Sequence, residues 1–119
     1  EVSLTEVVLL MAPFGATAVL VFGVPGSPLA QPKNVIIGHF ITASIGIAFS
    51  QYVDVTPVTL AIATGLGVSA MLITKTTHPP AGANPILIMA SGQGWSFLFT
   101  PVLIGAVVIV LVGKGLQLL

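Results

Sequence analysis

Pro13-Phe14-Gly15-Ala16-Thr17-Ala18-Val19-Leu20-Val21-Phe22 is one of two stretches of this chain written to a single pattern; the other is Pro80-Ala81-Gly82-Ala83-Asn84-Pro85-Ile86-Leu87-Ile88-Met89. Both read Pro-x-Gly-Ala, then Thr or Asn, one further residue and four apolar residues, and they stand 67 residues apart. Proline and glycine interrupt a helix, and a small polar residue then falls where an N-cap belongs. A helix that starts at bilayer depth turns unpaired N–H groups and the positive end of its dipole into the membrane. Interrupted helices in repeated halves are the sequence pointer to a transporter's substrate site, and the sign of the dipole favours an anion there.

Composition places both stretches in a membrane. Of 119 residues, 55% are hydrophobic and 5% charged, and the mean hydropathy is +1.14. Three basic and three acidic side chains cannot cover a soluble domain of this size. The absence of cysteine removes disulfides and thiolate metal sites. Zero net charge without a basic run argues against a nucleic-acid partner. Glu1 and Glu6 precede the first apolar stretch, unlike the basic opening of a secretory signal.

The charges fall at Glu1, Glu6, Lys33, Asp54, Lys75 and Lys114, and leave uncharged runs 7–32, 34–53, 55–74 and 76–113. A helical crossing needs about 20 apolar residues. The two central runs hold one crossing each. The first holds one crossing and a loop, Val24-Pro25-Gly26-Ser27-Pro28, and the last is divided by Ser91-Gly92-Gln93-Gly94. The expectation is an all-α membrane protein with segments at about 4–23, 35–52, 57–74, 82–91 and 101–116. That is a single transmembrane domain over 1–119, a bundle of four to five segments with two broken half-helices. Its repeat halves, about 4–53 and 54–119, form an inverted repeat. On this count Lys33, Lys75 and Lys114 share one side, which the positive-inside rule makes cytoplasmic or stromal, with the C-terminus.

The candidate substrate-binding residues are Gly15, Ala16, Thr17, His78, Gly82, Ala83 and Asn84. The four small residues serve equally well for close helix packing. Thr17 and Asn84 are the natural side-chain donors to an anion, and capping their own helices is the plainer role. His78 either satisfies the broken backbone or carries a proton beside an anion. Pro79-Pro80 predicts extended chain before Gly82, with freed carbonyls turned to protein or water. His39 reads as a packing or interhelical hydrogen-bonding residue rather than a ligand. Lys75 reads as an interfacial anchor or an attractor at the inner mouth, and Tyr52 and Trp95 as interfacial anchors.

Thr77-His78-Pro79-Pro80-Ala81-Gly82-Ala83 with its following apolar helix resembles the signature of the HPP family of integral membrane proteins, named for His-Pro-Pro. Ala12-Pro13-Phe14-Gly15-Ala16, Ser27-Pro28-Leu29-Ala30-Gln31-Pro32, Gly38-His39 and Trp95-Ser96-Phe97 through Pro101 and Gly105 are also similar to the family pattern, so the resemblance covers about residues 8–115. Family members in cyanobacteria and plastids are associated with nitrite transport, and others are fused to nucleotide-sensing CBS domains. The resemblance implies a small-anion transporter or channel, for nitrite first and nitrate second, in a bacterial inner membrane or plastid-type membrane. It implies no cofactor. The family pattern usually carries a further helix upstream of the Ala-Pro-Phe-Gly-Ala segment, so either this sequence is part of a longer chain or its first repeat lacks an opening helix.

Enzymatic constellations are missing from the sequence: there is no carboxylate pair, no nucleophile set and no phosphate-binding loop. Two histidines without nearby acids do not make a metal site. Besides the anion reading, two classes stay open. One is a neutral-solute channel, because Asn84-Pro85 is similar to the Asn-Pro half-helices of water channels, although the first repeat has Thr17-Ala18. The other is a non-transporting module that positions a sensor or partner. The expected partners are a small inorganic anion, membrane lipid and further copies of the chain in a homodimer or homotrimer, since so few spans cannot easily enclose a polar site.

Overall fold

The structure, a computed structural model, describes residues 12–118. The opening of the first expected segment, 4–11, lies outside the described residues. Among these there are five α-helices and no strand. Helix α1 (Ala12–Ala18) runs on into a π-helical turn, Val19–Gly23. Helices α2 (Pro32–Tyr52) and α3 (Pro57–Thr74) are full crossings, and α4 (Asn84–Ser91) is a half-helix of 8 residues. Helix α5 (Ile104–Gln117) follows a π-helical stretch, Leu98–Leu103, and the two together are long and apolar enough to cross a membrane, as α2 and α3 are.

Prolines set the helix starts. Pro32 and Pro57 occupy the first turn of α2 and α3, where an N–H would find no partner in the helix. Thr56 accepts from the Thr59 amide while the Thr59 hydroxyl accepts from the Thr56 amide, which closes a capping box. The stops of α3 and α4 share one device. Lys75 and Gly92 take left-handed conformations (φ 58° and 67°), and the next amides, of Thr76 and Gln93, reach back to the carbonyls of Met71 and Ile88. Thr100 is extended (φ −131°, ψ 114°) because Pro101 follows it, and the kink there delays α5 to Ile104.

Contacts between loops define two ends. Asn34 Nδ2 donates to the Thr77 carbonyl, which brings Lys33 and Lys75 together, and a cleft lined by Pro25, Gln31, Pro32 and Lys114 adds the third lysine to that end. At the opposite end Gln51 donates to the Gln93 carbonyl and Trp95 Nε1 lies 3.3 Å from the Tyr52 hydroxyl, beside the turn that carries Asp54. Helix α1 therefore runs toward the lysine end and α4 away from it; α2 runs away and α5 toward it. Equivalent helices of the two halves run in opposite directions, which is the expected inverted repeat.

Two apolar clusters hold the bundle. Ala43, Ile47, Ile88, Leu98 and Val102 join α2, α4 and the start of the last span. Val21, Val35, Ala106 and Val110 join the first segment to α2 and α5. Ile62, Leu66, Leu72, Ile73, Val108 and Leu111 are exposed on the outer faces, as lipid-facing side chains are. Close approach depends on glycine where backbones meet: a Cβ on Gly46 would stand 2.8 Å from Pro85 Cα.

Candidate functional site

The inner face of α2 carries Gly38, His39 and Thr42, all buried, and His39 lies seven residues into the helix, about 10 Å along its axis from the lysine end. Gly38 leaves room for the chain between α3 and α4 to lie against α2, since a Cβ there would stand 3.1 Å from both His78 Cβ and the Thr76 carbonyl oxygen. His78 is extended (φ −139°, ψ 99°) and fully buried. Pro79–Ala83 then forms a 3₁₀ turn, not the extended chain expected before Gly82. The two prolines occupy its first positions, where no donor is needed. The freed Thr77 carbonyl accepts from Asn34, so it does meet protein as expected.

Three buried polar side chains from the repeated segments and the loop meet on His39. Thr17 Oγ1 is 2.8 Å from His39 Nε2 and 2.9 Å from His78 Nε2, and it is 2.9 Å from the Pro13 carbonyl one turn back in its own helix. Asn84 Nδ2 is 2.9 Å from His39 Nδ1 and 3.1 Å from Thr42 Oγ1. Thr42 donates to the Gly38 carbonyl, and His78 Nδ1 is 2.8 Å from the Leu29 carbonyl in the loop at the lysine end. The imidazoles of His39 and His78 pack edge to face at 5.1 Å, and Phe14 packs on the other side of His39 at 5.0 Å.

Neither repeated polar residue caps a helix. Thr17 is the sixth residue of α1, and Asn84 is preceded by Ala83 at an N-cap position without a side-chain bond. Their side chains turn inward instead, and the two equivalent positions hold opposite nitrogens of one imidazole. Of the residues singled out from the sequence, Thr17, His78 and Asn84 come together. Gly15, Ala16 and Ala83 are exposed and Gly82 is half-buried, and a Cβ on Gly15 or Gly82 would meet nothing within 4 Å. His39 and Thr42 belong to the cluster and were not among those residues. Their signal was a Gly-His-x-x-Thr spacing that puts His39 and Thr42 on one helix face beside a glycine. A cleft of about 10 Å³, room for one water, lies between the repeated segments, lined by Pro13, Phe14, Asn84, Leu87 and Phe97 among others.

The profile of the HPP transmembrane region matches residues 1–118, and the chain belongs to that family of integral membrane proteins. It is similar to two curated transmembrane proteins of Dictyostelium discoideum. One is 38% identical over 114 residues, which cover 89% of this chain and 37% of that protein. The other is 40% identical over 110 residues, 86% of this chain and 39% of that protein. The chain thus spans less than half the length of these relatives. No solved structure matches it.

Proposed function

We propose that this chain is the membrane core of a small-anion transporter or channel, with nitrite as the favoured substrate and nitrate as the next. The observation that carries the reading is the polar cluster itself. Thr17, His39, Thr42, His78 and Asn84 are buried together inside the bundle, where the two inverted segments meet. Polar groups inside a membrane bundle are costly and mark substrate or ion pathways. The cluster holds hydroxyl, amide and imidazole groups and no carboxylate, so nothing of like charge opposes a monovalent anion beside it. The anion enters the one-water cleft beside Asn84 as Phe14, Leu87 and Phe97 move apart. The protein acts as a homodimer or homotrimer, with the exposed Gly15, Ala16 and Ala83 at or near the contact between copies. The lysine end faces the cytoplasm or stroma, and the chain performs no covalent chemistry.

The test is uptake of nitrite, nitrate, chloride and glycerol by vesicles containing only this protein, against protein-free vesicles that report leakage of the free acid. Anion uptake without glycerol uptake is the expected result. Glycerol uptake alone makes the protein a neutral-solute channel, and no uptake of any solute by folded protein leaves the non-transporting module. Asn84→Asp puts a like charge at the cleft and lowers anion uptake by roughly tenfold or more. Gly15→Val with Gly82→Val places methyl groups in open space. Uptake lost in that folded variant moves the pathway to the exposed small-residue face, and uptake retained keeps it beside Asn84.

A further inference from the structure

The hydrogen atoms of the buried cluster can be counted one by one. Thr42 has a single hydroxyl hydrogen, and it goes to the Gly38 carbonyl, so toward Asn84 Thr42 only accepts. Asn84 therefore turns its amide nitrogen to Thr42, and the second hydrogen of that nitrogen goes to His39 Nδ1. His39 Nδ1 then carries no hydrogen, and its one proton sits on Nε2 and is donated to Thr17 Oγ1. On the other ring, His78 Nδ1 faces a carbonyl, which only accepts, so Nδ1 carries a proton. His78 Nε2 is the one position left open.

If His78 Nε2 is bare, Thr17 must give it the only hydroxyl hydrogen, and the 2.9 Å contact of Thr17 with the Pro13 carbonyl has none. If His78 Nε2 carries a proton, Thr17 accepts from both imidazoles and donates to Pro13, which fills the capacity of a hydroxyl. Seven of the cluster's eight contacts are then satisfied, and the eighth, the 3.4 Å approach of Thr42 Oγ1 to the His39 carbonyl, shares the hydrogen given to Gly38. A second extra proton has no place, because His39 Nδ1 already faces an N–H. The geometry points to a binding site for one excess proton at His78 Nε2, coupled to the anion.

Coupling follows from charge, and this part rests on the anion reading above. A protonated His78 is a cation in an apolar bundle. Among the described residues, the elements packed around its segment, α1 to α4, turn one other titratable side chain inward, His39, and Lys33, Tyr52, Asp54, Lys75 and Lys114 are all exposed. A monovalent anion beside it supplies the missing countercharge, so proton and anion each raise the affinity for the other by the same factor. The pair moves as one proton with one anion, electrically neutral.

The proton site is tested by nitrogen NMR of histidine-labelled protein in liposomes from about pH 8 to pH 5, with and without nitrate, the resonances assigned through neighbouring residues. The expected result is that His78 gains a second N–H, at higher pH when nitrate is present, while His39 keeps one proton on Nε2 throughout. Two neutral rings down to pH 5 in the presence of nitrate, or titration at His39 instead, overturn the proposal. Vesicle uptake tests the coupling separately: one pH unit, acid outside, sustains about tenfold accumulation of nitrate. Saturable uptake that ignores the pH gradient overturns the coupling and leaves the anion reading standing. A protonated His78 in a protein without uptake does the reverse.

Discussion

The two copies of the Pro-x-Gly-Ala pattern fold differently. The first is helical from Ala12 to Gly23, and the second passes through a 3₁₀ turn before an 8-residue helix. The cause is local: one proline at Pro13 stands against three at Pro79, Pro80 and Pro85. Their polar residues also do unlike work on the same imidazole. Thr17 is an acceptor for His39 Nε2–H and touches His78 as well, whereas Asn84 is a donor to His39 Nδ1 and Thr42. A neutral imidazole needs one donor and one acceptor, and here Asn84 supplies the first and Thr17 the second.

The largest effect follows from that asymmetry. Thr17→Val keeps the shape of the side chain and orphans a donor, His39 Nε2–H, together with the Nε2 face of His78. Asn84→Leu removes a donor and leaves only acceptors short, which buried groups tolerate better. Thr17→Val is expected to cost about 1–3 kcal/mol of stability, and Asn84→Leu less. Thermal unfolding in one detergent ranks them, and an Asn84→Leu loss equal to or above that of Thr17→Val would break the comparison.

Much of this was legible in the sequence because the relevant signals are periodic or local. The charge spacing located the crossings, and 57–74 agrees to the residue with Pro57–Thr74. The count of crossings told the direction of each half and put three lysines on one side, and the structure gathers Lys33, Lys75 and Lys114 at one end. What was not legible depends on tertiary contact. N-cap chemistry at Thr17 and Asn84 was a sound local expectation, but α2 offers His39 and Thr42 as buried partners, and satisfying those outweighs a cap. His39 read as an interhelical hydrogen-bonding residue, and it is one; that it joins both repeats follows only once α1 and α4 are seen to flank α2. Pro79-Pro80 read as extended chain because proline disfavours helix interiors, yet two prolines fit the open end of a 3₁₀ turn.

The second prediction concerns how each segment is seated. The second lies backbone to backbone on α2, where a Cβ on Gly46 would stand 2.8 Å from Pro85 Cα. The first meets α5 through a side chain: a Cβ on Gly105 would stand 2.5 Å from the Phe14 ring, which can rotate away. Overpacking costs about 1–3 kcal/mol, and alanine returns up to about 1 kcal/mol over glycine in a helix. Gly46→Ala should therefore lose about 1–2 kcal/mol and Gly105→Ala under about 1 kcal/mol. The reverse order would mean that the half-helix, despite its three prolines, shifts more easily than the ring of Phe14.

The smallest effect belongs to the residues that make the two segments look alike. Gly15 and Gly82 stand at equivalent positions, and a Cβ at either meets nothing within 4 Å. In an isolated chain Gly15→Ala gains helix propensity and loses no packing, and Gly82→Ala adds a methyl group to open space. Both should leave stability in detergent within about 0.5 kcal/mol of the parent. The informative comparison is between detergent, where copies can separate, and bilayers at high protein density. A loss confined to the bilayer means that the small-residue faces are pressed against another copy, where each added methyl stands between helices. An equal and negligible effect in both settings leaves these glycines facing lipid. The likeness of the two stretches would then reflect how such segments enter the membrane, and the inward Thr17 and Asn84 alone would carry the site.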